Sequence, residues 1–276
     1  MNLKPAKIAI AMMARDEETR LEAWILYHAN IVGFENLYIF DNGSISLQTC
    51  RILQMYEKRG VNVDRSHVGH RSFTRKGIII SNLFKKLEVF FDYDLFIPMD
   101  CDEFISVQRS DGIVVFDRLE ILSYLSSLQT ERCVLVASKA RANILGYPGY
   151  FFPPYDHHKV FFPRGVCLSM DEGFHTASSR TDGNDRDTSL MYLHFHYRPF
   201  KDMVRQSAWK LEGEVDISNP AALREYKGNG HHVAQYLLLS KNDYINGFST
   251  SLGAIIPDFI NYLKKIGISR EFFDSI

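Results

Sequence analysis

The sequence predicts an α/β fold, a mostly parallel sheet flanked by helices. Short apolar runs alternate with segments of helical periodicity through roughly the first hundred residues. Each apolar run ends in a polar turn that carries acids: Arg15-Asp16, Asp41-Asn42 and Asp100-Cys101-Asp102. An Asn-Gly pair, Asn42-Gly43, would usually mark a hairpin. The segment after it, Leu47 to Lys58, repeats at helical spacing instead, so strand–turn–helix is expected.

Taken in order, Lys7 to Met13 reads as the first strand. Leu21, Trp24, Ile25, His28 and Ile31-Val32 then recur on one helical face, and Gly33 is a plausible stop. Trp24 and His28 are expected to pack in the core rather than to bind a ligand. Asn36 to Phe40 is the second strand, and Gly60 ends the next helix before a third strand at Val61 to Val63. Phe73 to Phe91 reads as one amphipathic helix leading into the apolar strand Leu95 to Met99. In repeated βα units the sheet is mostly parallel, and ligands gather beyond the carboxyl ends of its strands.

The second half is less periodic. Gly112 to Leu128 carries helical spacing and Arg132 to Ala137 is an apolar strand. Arg141 to His158 is aromatic and irregular. It reads equally as a platform of ring faces on which a pyranose could pack, with Tyr147, Tyr150, Phe151 and Tyr155 as candidates, or as a long packed loop. Met191 to Arg198 alternates, with Tyr192, His194, His196 and Arg198 on one face. Lys201 to Leu211 is an expected helix. Together with Arg198, its Lys201, Arg205 and Lys210 form a basic surface, either for pyrophosphate or merely solvated. Phe259 to Ile266 is a last short helix, stopped by Gly267.

Composition bounds the class. A chain of 276 residues can bury a full core, so one large domain, or a domain with a subdomain, is expected. A net charge of −1 gives no global attraction to nucleic acid or to an anionic membrane. Cys50, Cys101, Cys133 and Cys167 are widely spaced and read as free thiols of a reducing compartment. The apolar start, Ile8 to Ala14, is too short to span a bilayer, and a cytoplasmic protein is expected.

The chemistry centres on Ile97-Pro98-Met99-Asp100-Cys101-Asp102-Glu103-Phe104. On an extended backbone Asp100 and Asp102 would point to one side, Cys101 and Glu103 to the other. Hard oxygen ligands of this kind suit Mg²⁺ or Mn²⁺, which keep open positions for water and phosphate. The alternative is a solvated acidic exit from a strand.

The sequence resembles GT-A-fold glycosyltransferases, in the family-2-like branch with an Asp-x-Asp-Glu-Phe motif. Three blocks carry the resemblance. They are Ala14-Arg15-Asp16-Glu17-Glu18 with Glu22 to His28, Gly33 with Leu37 to Ser44, and Met99 to Phe104. Gly173-Phe174-His175 and His194 to Arg198 form a weaker fourth block. The chain departs from the pattern after Ser44 and at Arg75-Lys76.

The resemblance implies transfer of a sugar from a nucleoside diphosphate, UDP rather than GDP, to a hydroxyl of a glycan or polysaccharide, with inversion. It implies a nucleotide-binding set of Ala14, Arg15, Glu17, Asp41, Asn42, Arg75 and Asp100. It implies Mn²⁺ or Mg²⁺ held by Asp100 and Asp102, completed by His196 or His194. Glu103, His175 and Arg198 would support the site. The general base is expected in the second half, at Glu172 or Asp171, beside the turn-permitting Gly173. The domain reading is residues 1–250 as one GT-A domain, with a nucleotide-sugar half to about 110, an acceptor half after it, and a helical tail at 251–276. Peripheral association with a membrane assembly is a further expectation, and no nucleic-acid partner is expected. Two other classes compete: a nucleotidyltransferase-like enzyme, and a non-catalytic nucleotide-sugar or glycan binder. The first lacks a Gly-rich phosphate loop after the first strand. The second sits poorly with an intact acidic motif.

Overall fold

The structure, a computed structural model, describes residues 4–276, without the side chain of Thr19. Strands β1 (Ile8–Ala14), β2 (Leu37–Asp41) and β3 (Asn62–Asp64) alternate with helices α1 (Glu18–Val32) and α2 (Leu47–Glu57). Helices α3 (His70–Phe73) and α4 (Lys76–Phe90) lead into β4 (Leu95–Pro98), β5 (Glu103–Gln108) and β6 (Val114–Val115). Next come α5 (Arg118–Ser127), β7 (Leu135–Ala142), β8 (Tyr150–Phe151), β9 (Tyr155–Pro163), β10 (Cys167–Met170), β11 (Ala177–Ser179) and β12 (Arg186–His194). The chain closes with α6 (Phe200–Lys210), α7 (Pro220–Glu225), α8 (His231–Ala234), α9 (Lys241–Asn246), β13 (Ala254–Ile255), α10 (Phe259–Lys265) and α11 (Arg270–Phe273).

Nine strands form one sheet in the order β3-β2-β1-β4-β9-β7-β12-β5-β6. The pairings give seven strands one direction and reverse only β5 and β9. The expected α/β arrangement is therefore present. Period-two alternation assigns β1 to both faces at once. Ile8, Ile10 and Met12 join the core under α1, while Ala9, Ala11 and Met13 join the core under α4. Burial on both faces explains why β1 reads as a continuous apolar run.

Three expectations are corrected. The helix over Phe73 to Phe91 is two helices, broken at Thr74-Arg75, so that α4 starts at Lys76. The irregular stretch Arg141 to His158 holds the end of β7, all of β8 and the start of β9. The 251–276 segment is no separate tail. Phe259, Leu263, Ile268, Phe272 and Ile276 belong to the main core, where Phe272 stacks 5.9 Å from Phe104. Large apolar side chains on both of its short helices make docking on the domain the way to remove them from water.

A smaller helical cluster, with Met203, Leu211, Leu223, Val233, Tyr236 and Tyr244, forms a cap beside the carboxyl edge of the sheet. All four cysteines are free thiols. Among the described residues no helix is long and apolar enough to cross a membrane.

Candidate active site

A cavity of about 640 Å³ opens at the carboxyl ends of β1 and β4. Its walls come from the loop after β1, the α3–α4 junction, the turn after β10, the residues following β12, α6, and the loop before α8. Gly77 lets two of these walls meet: a Cβ there would lie 2.2 Å from the Asp171 carbonyl oxygen.

The acidic motif is a turn, which corrects the extended arrangement expected for it. Cys101 and Asp102 form the turn between β4 and β5, and β5 begins at Glu103. The Asp100 N–H donates to Glu103 Oε2 at 3.0 Å, and the Glu103 N–H donates to the Asp100 carbonyl at 3.2 Å. This closure sends the two aspartates into different surroundings.

Asp100 lies between two ammonium groups. Lys76 pairs with its Oδ1, and Lys159 donates to its Oδ2 at 2.7 Å. Lys159 also reaches Glu103 Oε1 at 3.1 Å, and His157 Nε2 lies 2.8 Å from the same oxygen. Burial would raise the Asp100 carboxyl; Lys159 and then Lys76 outweigh it and hold it far below the usual carboxylate range. Burial opposes ionisation of Glu103 too, and Lys159 brings it down to about 2. Burial would lower Lys159, but Asp100 and Glu103 hold its ammonium above its ordinary range. Phe174 faces both lysines, with Nζ of Lys76 4.6 Å and of Lys159 5.2 Å from its ring centroid. Its φ of 59° is a strained value for a bulky residue.

Asp102 faces two imidazoles. One ligand atom from each of Asp102, His194 and His196 falls within 4.8 Å of the others. Strand register produces this meeting: β12 pairs antiparallel with β5, His194 opposite Glu103. The Phe195 N–H then donates to the Asp102 carbonyl at 2.7 Å. A slip of one residue would turn both imidazoles to the other side of the strand. Each ring is held from behind. Tyr155 Oη lies 2.6 Å from His194 Nδ1, leaving Nε2 toward Asp102 at 3.5 Å. Tyr236 Oη lies 2.9 Å from His196 Nε2, leaving Nδ1 available. Burial, then the neighbouring His194, pushes His196 well below the ordinary imidazole range, so it is neutral as a metal ligand must be. Burial would raise Asp102, but His194 and then Arg198 bring it well below the usual range.

Arg198 does not belong to a solvated basic surface. It is buried, donating to Glu17 at 3.1 Å and Asp102 at 3.4 Å. Arg20, also buried, donates to the carbonyls of Phe195 and, at 2.9 Å, Tyr197. The segment carrying the histidines is thus tied to α1 through its backbone.

Of the expected nucleotide set, Ala14, Arg15, Glu17 and Asp100 line the cavity, whereas Asp41, Asn42 and Arg75 do not. Asp41 is buried and caps the next turn, accepting from the Ser44 N–H at 3.0 Å. Asn42 is fully buried and donates to the carbonyls of His67 and Gly69. Arg75 is exposed, and its neighbour Lys76 points inward because α4 begins there. Asp171 and Glu172 both line the cavity. Asp171 is committed to its own turn, accepting from the amides of Gly173, His175 and Thr176. Glu172 accepts one bond, from Asn229 at 2.7 Å. His175 lines the cavity, its Nδ1 2.5 Å from the His158 carbonyl oxygen. Tyr147, Tyr150, Phe151 and Tyr155 do not line it, and Phe151 packs in the core against Phe195 and Phe259. Trp24 and His28 are core residues, as expected.

Sequence reasoning missed Lys76, Lys159, His157, Arg20 and Trp209. His157 and Lys159 are two apart on β9 and share a face, a period-two signal in Tyr155 to Lys159 that was readable. Trp209 carries no such signal. It meets Phe73 edge-on at 4.9 Å, with the Arg15 guanidinium 5.3 Å from its ring centroid.

No family model and no curated protein matches this chain. Among solved structures it is similar to S. aureus TarS 1–349, at 10% identity over 89% of this chain and 73% of that one, with a TM-score of 0.44. A second S. aureus TarS structure aligns at 10% identity over 89% of this chain and 44% of its own length, with a TM-score of 0.39. A cytidylyltransferase from Leptospira borgpetersenii serovar Hardjo-bovis aligns at 14% identity over 48% and 53% of the two chains, with a TM-score of 0.28. At these scores the chemistry of the site stands on its own geometry.

Proposed function

We propose that this chain is a metal-dependent glycosyltransferase that moves a sugar from a nucleoside diphosphate to a glycan hydroxyl. One observation carries the reading. Asp102, His194 and His196 converge on the wall of a cavity of about 640 Å³ at the carboxyl edge of an α/β sheet. The donor set fits a divalent ion: one carboxylate, and two imidazoles whose outer nitrogens are already engaged by tyrosines. Two nitrogen donors favour Mn²⁺ over Mg²⁺. When bound, the ion would offset the negative charge that builds on a leaving diphosphate.

The residues around the trio have separable tasks. Lys76 and Lys159 fix the charge and direction of Asp100, which is left to accept a hydrogen bond from a ribose hydroxyl. Trp209, with Phe73 edge-on to it and the Arg15 guanidinium beside its ring, offers an aromatic, cationic corner to a nucleobase. UDP is the preferred nucleotide in this reading. Glu172, the less committed of the two candidate acids, takes the proton from the acceptor hydroxyl, with inversion at the sugar.

The test is a panel of nucleotide sugars with Mn²⁺, read by thermal shift and by release of free nucleotide. Slow hydrolysis of a UDP-sugar, abolished by chelator, is expected. A chain that binds nucleotide sugars but never releases nucleotide would be a binder, and the enzymatic reading would fall. Glu172→Gln is expected to cost on the order of 10²–10⁴-fold in turnover with donor affinity retained. Near-normal turnover in that variant would remove Glu172 from the mechanism.

A further inference from the structure

Helical phase divides the basic surface expected after β12. Lys201 is exposed and does not line the cavity. Arg205 lies outside it too, 3.6 Å from Glu18 and 3.2 Å from Asp202. Five residues on, about 140° round the helix, Lys210 lines the cavity beside Trp209. Met203 and Leu211 fix this rotation, because both are buried in the core of the cap. Helix α6 therefore turns one ammonium inward and leaves the other two basic side chains outside.

Six lysine and arginine side chains line the cavity. Lys76 and Lys159 are engaged by Asp100, Arg198 is shared between Glu17 and Asp102, and Arg15 lies 3.9 Å from Asp16. Among the described residues the other two, Lys210 and Lys227, have no carboxylate partner. Lys227 stands on the loop before α8, whereas Lys210 stands on a packed helix. Its side chain is open to the cavity, yet the walls stand all round it. Desolvation by those walls lowers its ammonium below the ordinary lysine range; Asp100 opposes this and Lys76 adds to it. After burial and His194, Lys210 is also among the charges that hold His196 down. Lys210 thus stands over both aspartates and close to the trio. An ammonium among low-dielectric walls costs free energy until a counter-charge arrives. Asp100, Asp102 and Glu103 already face cations, so that counter-charge comes with a ligand. A diphosphate meets both needs of this cavity. Its oxygens suit a divalent ion, and a lysine attracts it as a point charge.

We propose that Lys210 forms a phosphate subsite that holds the diphosphate of the nucleotide even before the divalent ion binds. The proposal rests on the function proposed above for the nature of the ligand, and adds to it a residue and an order of events. With the ion in place, Lys210 and the ion share the charge of the diphosphate. The competing role for Lys210 is to complement the carboxyl end of α6, where a positive charge suits the helix dipole. That role needs no ligand, and its loss would show as lower stability.

The experiment is calorimetry of the full chain with inorganic pyrophosphate in EDTA, at about 0.15 M salt. The parent is expected to bind pyrophosphate, and to bind sulfate more weakly by roughly tenfold or more. Lys210→Ala should weaken pyrophosphate binding roughly tenfold or more, and Lys210→Arg should restore most of it. Lys201→Ala removes the same charge from the outer face of the same helix and should change nothing. Mn²⁺ affinity, measured without pyrophosphate, should stay the same or tighten in Lys210→Ala, because a positive charge near the trio is gone. The melting temperature should stay close to that of the parent. The proposal is overturned if the parent binds no pyrophosphate in EDTA, or if sulfate binds as tightly. It is equally overturned if Lys210→Ala binds as before, if Lys201→Ala loses as much, or if Mn²⁺ affinity and melting temperature fall together with pyrophosphate binding. The two readings fail separately. Pyrophosphate held through Lys210 in a chain that hydrolyses no nucleotide sugar keeps the subsite and removes the glycosyltransferase. Hydrolysis in a chain whose Lys210→Ala variant binds normally removes the subsite alone.

Discussion

Asp100 and Asp102 stand two residues apart on one turn, yet the protein treats them in opposite ways. The wall around Asp100 is closed electrically: Lys76, Lys159, Glu103 and His157 balance its charge without a metal ion. The wall around Asp102 is left open, with two imidazoles fixed by tyrosines and only Arg198, shared with Glu17, against the carboxylate. The first wall is built for rigidity, because buried charges that lose a partner are costly. The second is built for exchange, because its donors stay without a full complement.

The contrast can be broken most severely at Lys159. Lys159→Met leaves Asp100 and Glu103 facing each other and should destabilise the fold by about 3–5 kcal/mol. Urea denaturation measures it, and a loss below about 1 kcal/mol would mean that the closed wall is not structural. Asp102→Asn should act on the other side only. Mn²⁺ affinity by calorimetry is expected to drop on the order of 100-fold or more, with a melting temperature close to that of the parent.

Imidazoles sharpen the same distinction. His28 is fully buried in the core, accepting from the Ile105 N–H, and burial lowers it to about 3. The unfolded chain therefore takes up this proton first. The contribution of His28 to stability is complete above about pH 6.5 and is lost as pH falls toward 3, amounting to about 2 kcal/mol between pH 7 and pH 5. Denaturation at the two pH values should show the drop, and His28→Gln should flatten it. A parent protein equally stable at both would place no such proton linkage at His28. The smallest change expected is in the tyrosines behind the open wall. Tyr155→Phe and Tyr236→Phe should each weaken Mn²⁺ binding roughly tenfold, with no change in fold. If neither alters affinity, the rings are oriented by packing alone.

Local patterns made part of this legible. The strand ends at Ala14, Asp41 and Pro98 announce themselves as apolar runs meeting charge, and His194 and His196 as alternation across a strand. What stayed hidden depends on phase and on distance along the chain. Which of Arg75 and Lys76 turns inward is decided by where α4 starts, one residue of helix phase that composition does not reveal. Lys159 lies 59 positions from Asp100, and only the antiparallel passage of β9 beside β4 brings them together. The turn at Cys101-Asp102 was misread because an extended strand and a tight reversal look alike in four residues that carry three acids.

The position of β12 has a consequence for synthesis. It lies between β7 and β5, both of which leave the ribosome earlier. Until residues 186–194 emerge, those two strands cannot be joined, and each presents an unpaired edge to other chains. The insertion that seals the sheet is also the step that carries His194 and His196 to Asp102. On the proposed function, competence for the ion is acquired late and all at once, so a nascent chain that holds the ion has already escaped its most aggregation-prone stage.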